Sequence, residues 1–351
     1  MSYQIGIDTL RLRPTPRLAH TEYCSNDDLM DRVRQDAAQK ARCGGQAGRE
    51  VSFQEAWQFD LVWATNDGPV PWDKRGRVTD MGHAEFLKGG RDRRDTIYCP
   101  FKSVDEVLAF DAVAEYGLPD KKELIAYYEN HYREKQRANP QVVYPGGYYK
   151  TIVSGAIQTF GWDMLLQGAA RRDQFEKVLD SYFRLSLHHF EAWAETSIEA
   201  FICHDDMVWT AGPFMHPDFY RRAIFPRYQR LWAPLRRAGK IVLYCSDGTF
   251  TEFVDDLVAA GAHGFIFEPM TDLEYVVRHY GRTHVIVSSK VDARTLTFGT
   301  PAKIRAEIDA TLPLARQCPG FIFAVGNHIP SNVPVENGLF YYEYLSAHWR
   351  R

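Results

Sequence analysis

Four separate stretches of this chain end in groups that can move protons or hold metal ions. Residues 198–203 run into His204-Asp205-Asp206, and residues 240–244 run into Cys245-Ser246-Asp247-Gly248. Residues 264–267 lead to Glu268-Pro269, and residues 320–325 lead to Gly326-Asn327-His328. Carboxylates and imidazoles serve as general acids, general bases or ligands, and a thiolate is a zinc ligand. Neighbouring side chains on an extended chain point to opposite sides. Of the aspartate pair we therefore expect Asp206 to face the chemistry and Asp205 to cap backbone amides. The same period of two puts Cys245 and Asp247 on one side. With His328, and with Asp206 in reach, they read as a zinc site of Cys245, Asp247 and His328. The plain alternatives are a buried Cys245 that packs as a small hydrophobe and an Asp247 that only shapes the turn at Gly248. Pro269 holds Glu268 extended, so Glu268 reads as an acid on a partly dry aromatic wall or as the partner of a barrel cation. His328 reads as a base, a ligand or a hydrogen-bonded rim residue. Lys290 and Asp292 follow one more apolar run, 283–287, and for Lys290 we expect a carboxylate partner.

These groups must be delivered by the elements before them. Each apolar run is too short for a typical helix and rich in Ile, Val and Phe, which predicts a buried strand. Helix-length amphipathic segments at 217–237 and 250–260 separate the three central runs. Strand, helix, strand in repetition gives parallel strands with right-handed crossovers, and parallel strands end at one edge. The expectation is a single (β/α)8 TIM barrel over residues 51–351, with an N-terminal helical extension at 1–50. Barrels of this kind carry their chemistry at the C-terminal mouth and need about 250 residues. Residues 59–64 read as the first barrel strand and 151–157 as another strand. Residues 173–195, and a stretch opened by Thr300-Pro301, read as helices. Asn26-Asp27-Asp28 can cap a helix over 29–39, and Gly44-Gly45 reads as a loop. Residues 70–100, with Thr79-Asp80-Met81-Gly82 and Gly89-Gly90-Arg91-Asp92, are irregular enough for a lid or a plain insertion. Near the strand ends, Trp63, Asp67, Tyr148, Phe160, Trp209 and Asn327 are candidates for holding a substrate.

Composition removes several classes of function. The net charge is −3 over 351 residues, without a basic field for nucleic acid. The six cysteines are scattered without a CxxC pair, which suits reduced thiols in a cytoplasmic protein. The N-terminus does not read as a signal peptide, no run approaches the length of a membrane span, and no phosphate-binding glycine loop is found.

The residues also carry a resemblance. The order Asp205-Asp206, Gly212-Pro213-Phe214, Pro226-x-Tyr228, Cys245-Ser246-Asp247-Gly248, Glu268-Pro269, Val291-Asp292, then Gly326-Asn327-His328-Ile329-Pro330 and Val333-Pro334-Val335-Glu336-Asn337 resembles the uroporphyrinogen decarboxylase superfamily. The resemblance covers roughly residues 50–350 and implies a (β/α)8 barrel. One branch of that superfamily decarboxylates a tetrapyrrole without a cofactor. The other moves methyl groups to or from a corrinoid, commonly on a partner protein, and often uses zinc. The decarboxylase motif Arg-Gln-Ala-Gly-Arg-Tyr has no counterpart around Arg13–Arg17 or His20–Tyr23. The thiol-activating methyltransferases carry His-x-Cys-Gly where Cys245-Ser246-Asp247-Gly248 stands, and a further Cys near Asn327. The chain is closer to the methyltransferases of corrinoid-dependent demethylation. The resemblance therefore implies transfer of a methyl group from a small, methoxylated compound to a cobalamin-type corrinoid, with Asp206, Asp247, Glu268 and His328 as catalytic groups. A corrinoid protein is the expected partner, and a homodimer is compatible. The alternative is a cofactor-free decarboxylase.

Overall fold

The computed structural model describes residues 2–43, 50–81 and 96–351. The Gly44-Gly45 loop and the Gly82 and Gly89–Asp92 parts of the long irregular segment lie outside the described residues. The strands described are β1 (Ala19–His20), β2 (Tyr23–Cys24), β3 (Gly146–Tyr148), β4 (Ala200–His204), β5 (Val208–Trp209), β6 (Gly212–Pro213), β7 (Ile241–Ser246), β8 (Gly264–Phe267), β9 (Val285–Ser288), β10 (Phe321–Phe323) and β11 (His328–Ile329).

Seven of them form one parallel sheet in the order β1-β10-β9-β8-β7-β4-β3. The two ends of that sheet are joined by residues 60–66. The Asp60 amide donates to the His20 carbonyl at 2.9 Å, and on the other side the Val143 amide donates to the Asp60 carbonyl at 3.1 Å. Val62 N donates to Val143 O and Asn66 N to Gly147 O, each at 2.9 Å, with a parallel bridge from Leu61 to Val143. This eighth extended segment closes a TIM barrel. Helices Val153–Ala169, Arg172–Ala194, Phe225–Arg237, Pro301–Arg316 and Val335–His348 are among those around it. Among the described residues no helix is long and apolar enough to cross a membrane.

Alternation along the strands sorts two cores. Ile202, Leu243, Cys245, Ile266, Val287 and Ile322 belong to one buried cluster inside the ring. Phe201, Cys203, Val242, Tyr244, Phe265, Phe267 and Ile286 belong to the layer between sheet and helices. The helix Tyr3–Leu10 adds Ile7 and Leu10 to the inner cluster and so plugs the bottom of the barrel. It approaches closely at Gly6, where a Cβ would lie 2.1 Å from the Asp60 carbonyl oxygen.

Three expectations need correction. Residues 19–20, assigned to the N-terminal extension, form β1 and pair with β10, so the sheet does not respect a boundary at residue 50. The strand is short because Pro14 and Pro16 stand just before it. Residues 59–64 accordingly supply the second barrel segment, not the first. Residues 151–157 form the start of the helix Val153–Ala169, and the strand there is β3. The β-branched run Thr151-Ile152-Val153 suggests a strand. However, the Asp205 carboxylate accepts from the amides of Ile152 (3.2 Å), Val153 (2.8 Å) and Ser154 (2.6 Å). These are amides that a helix start leaves without partners.

The closure is held by a buried ion pair. Arg17 Nη1 and Nη2 donate to Asp60 Oδ2 and Oδ1 at 2.7 and 2.9 Å, and His20 N donates to Oδ2 at 3.0 Å. Asp60→Ala would leave the Arg17 charge buried without its partner. We expect it to lower the unfolding free energy by about 3–5 kcal/mol, measured by chemical denaturation. A loss below 1 kcal/mol would contradict this account of the closure.

Candidate active site at the barrel mouth

Asp206, Asp247, Glu268 and His328 come to one opening. At the end of β4, His204 and Asp206 share the inward side and Asp205 takes the other. His204 Nε2 lies 3.0 Å from Asp206 Oδ1, and the Asp247 amide donates to the same oxygen at 2.9 Å. Tyr149 donates its hydroxyl to Asp206 Oδ2 at 3.3 Å, and its ring meets the His204 ring edge-on, with centroids 4.4 Å apart. On the far side, Glu268 accepts from the Gly248 amide and from Asn327 Nδ2, the latter at 2.8 Å. Asn327 Oδ1 accepts from the His328 amide at 2.6 Å and lies 2.8 Å from His328 Nδ1. Above these groups is a small open recess, lined by Tyr23, Trp63, Ala64, Thr65, Tyr149, His204, Asp247, Asn327 and His328.

Charge is concentrated on one half of the mouth. Burial opposes the Asp206 charge. His204, the Asp247 amide and the Tyr149 hydroxyl outweigh it and hold the carboxyl below its ordinary range. For His204, burial alone would lower the imidazole pKa, but Cys245 and Asp206 raise it well above the usual value. Asp206 is the partner that holds this proton, because burial pushes the Cys245 thiol pKa up and keeps it protonated. Asp247 is pushed up to about 8, by the protein crowded around it and then by the Asp206 and Glu268 carboxylates. Its surface is nevertheless open to water at the mouth, which softens the share due to burial. Two carboxylates thus compete for one cationic imidazole.

The sequence model of the uroporphyrinogen decarboxylase (URO-D) family matches residues 163–347, more than half of the chain. The chain belongs to the uroporphyrinogen decarboxylase family. The uroporphyrinogen decarboxylase of Pelobacter propionicus (strain DSM 2379 / NBRC 103807 / OttBd1) is 26% identical over 168 residues, 48% of this chain and 47% of that protein. The match thus spans about half the length of this curated relative. A methyltransferase from Methanosarcina mazei superposes with a TM-score of 0.64 over 99% of each chain, at 17% identity, and so shares the fold.

In this member of the uroporphyrinogen decarboxylase family the other candidate residues divide sharply. Trp63 and Asn327 line the recess. Asp67 stands behind it, accepting from the amides of Tyr149 (2.7 Å) and Lys150 (3.4 Å), and so fixes the turn that turns Tyr149 inward. Tyr148 does not reach the mouth. It is buried and stacks on His189 with centroids 4.8 Å apart. Phe160 is likewise core, packed against Phe101, Phe110 and Tyr182. Trp209 sits on the rim hairpin of β5 and β6 with Trp162 and Phe214, outside the recess lining. Lys290 pairs with Glu274, and Asp292 with Arg294.

The zinc set of Cys245, Asp247 and His328 does not fit. Cys245 is walled into the inner core, and neither it nor His328 belongs to the group of ligand atoms that converges at the mouth. Among the described residues, the side chains that converge as ligands are His204, Asp206 and Asp247. Sequence reasoning passed over His204, although a step of two back from Asp206 finds it. It also chose the wrong member of the Tyr148-Tyr149 pair.

The two neighbouring aspartates of β4 should separate structure from function. Asp205→Asn replaces an oxygen with an amide donor facing backbone amides and the Tyr228 hydroxyl, 2.7 Å away. We expect about 1–3 kcal/mol of lost stability. Asp247→Asn removes one of two crowded carboxylates and should leave stability within about 0.5 kcal/mol. Denaturation of both variants checks this, and equal losses would refute the division.

Proposed function

We propose that this protein transfers a methyl group from a small methoxylated compound to a corrinoid carried by a partner protein. The observation that carries the reading is the recess lining. Aromatic side chains meet an imidazole–carboxylate cluster, and among the described lining residues there is no Lys or Arg. A polycarboxylate tetrapyrrole calls for a cationic cavity, whereas a methoxylated aromatic calls for apolar walls and one polar end. A fold shared with a solved methyltransferase supports the same reading.

Tyr23 and Trp63, with ring centroids 6.1 Å apart, form the wall against which an organic body can lie. The ether oxygen is a poor leaving group unless it gains a proton or a cation. The cluster of His204, Asp206 and Asp247 is where this electrophile can be held. Tyr149 and the Asp247 amide orient the Asp206 carboxylate, and Glu268, through Asn327, orients His328. When present, the reduced corrinoid supplies the cobalt nucleophile. The recess is small and open on one side, so the macrocycle would meet the mouth from outside. The free thiols Cys24, Cys99, Cys203, Cys245 and Cys318 suit a reducing cytoplasm.

The test is a panel of methoxylated aromatics and methylamines with reduced cobalamin, following loss of the Co(I) absorption. At least one compound should methylate the corrinoid, and Asp206→Asn should slow that reaction about 100-fold or more. No transfer from any compound would sink the reading. Family membership and the relative from Pelobacter propionicus favour a second reading, decarboxylation. Release of carbon dioxide from uroporphyrinogen would establish it in place of the first.

A further inference from the structure

We infer that the mouth holds a second binding site, for a quaternary ammonium cation, in a recess across Tyr149 from the first. Its lining includes Met81, Tyr149, Ile157, Gln158, Trp162 and Asp206. Tyr149 lines both recesses and so divides them. Asp206 lines this one, whereas its partner His204 lines the first. Among the described residues lining the second recess none is Lys, Arg or His. A carboxylate thus stands beside an indole, a phenol ring and a thioether, with no cationic side chain in the described lining. Aromatic faces attract a cation, and most strongly one that sheds its water easily. The ligand that meets both demands is positive and apolar at once.

Local structure holds these side chains in place. The helix Val153–Ala169 breaks at Gly161, where φ is 67°, a value that glycine adopts at little cost. Trp162 follows the break and meets Trp209 and Phe214 edge-on, with centroids 5.3 Å from each. Gln158 Nε2 donates to the carbonyls of Met81 (2.7 Å) and Thr79 (3.4 Å). Thr79 N and Oγ1 donate back to the Gln158 carbonyl at 3.0 and 2.6 Å, which keeps Met81 at the recess. These bonds also decide the kind of cation. A primary ammonium brings three N–H donors that need acceptors, and the nearby carbonyls are already bonded. A hard metal ion needs several oxygen ligands, and Asp206 is the one carboxylate among the described lining residues. A quaternary ammonium has no N–H and needs only charge and apolar contact. A substrate that spans both recesses would carry its methoxyl group at one end and this cation at the other. That use rests on the proposed methyl transfer, whereas the binding does not.

The full-length protein can be titrated by calorimetry with choline and with dimethylbutanol, its uncharged isostere with carbon in place of nitrogen. We expect saturable choline binding, at least about fivefold tighter than that of the isostere. Trp162→Leu keeps an apolar side chain but removes the aromatic face, and Asp206→Asn removes the charge. Each should weaken choline binding by about 5- to 30-fold and leave the isostere unaffected. Melting curves show that the variants are folded, and the comparison of the two ligands on the unaltered protein needs no variant. Equal affinity for both ligands, no choline binding, or choline binding that survives both substitutions would overturn the site. Choline binding in a protein that methylates no corrinoid would leave the site standing and sink its proposed use. Methyl transfer without choline binding would overturn the site and leave the proposed function intact.

Discussion

The ring of strands is held shut at Asp60. Its backbone bonds to β1 on one side and to Val143 on the other, and its carboxylate accepts from Arg17, His20 N and Ser2 N. Arg17 in turn stacks over Trp349, 4.4 Å from the ring centroid, which ties the last helix to the same place. A buried ion pair contributes little net stability compared with an apolar replacement, but losing one member is costly. Its value here is positional. A closed parallel ring sends every strand end to one rim, and only then do groups far apart in the chain share an opening.

Above the closure, depth in the barrel grades the chemistry. Ile202 and Leu243 pair in a dry layer, His204, Cys245 and Ile266 follow in register over it, and Asp206 and Asp247 stand one step further along their strands. Charges next to a dry layer interact more strongly than in water. That is why the pKa of Asp247 is pushed up while that of Asp206 is held below its ordinary range. The same strand end also anchors the scaffold. Asp205 holds the start of the helix Val153–Ala169, and the Tyr244 hydroxyl donates to the Asp205 carbonyl at 2.8 Å. Adjacent residues thus fix the frame and furnish the site, and neither can shift without the other.

The far half of the mouth is built differently. Gly248, Glu268, Asn327 and His328 are linked in series by hydrogen bonds, and β11 pairs with β2 to strap this rim to the segment after β1. Tyr23, on that strap, faces the recess with Trp63. One half of the opening carries charge, and the other carries a braced polar chain and an aromatic wall. The proposed substrate, with one reactive oxygen and an organic body, would use this division.

Much of this was legible from the residues alone. The apolar runs before Asp206, Asp247 and Glu268 and the run at 320–325 are strands in the structure, and their length and β-branched content required it. Period two correctly parted Asp205 from Asp206, since local geometry forces neighbours to opposite sides. It did not say how deep a side chain would lie, so Cys245 looked like a ligand when it is core. At Gly146-Gly147 no apolar alternation marks the inner side, and Tyr148 was preferred to Tyr149. The run at 151–157 looked like a strand because its helix-starting partner, Asp205, is some fifty residues away. The chain by itself determined which segments extend and which of their neighbours diverge, because those follow from local sterics and hydrophobic period. Tertiary structure decided where the ring closes, which side chains are dry and which of them meet at the mouth, because those depend on contacts between segments that no local pattern records.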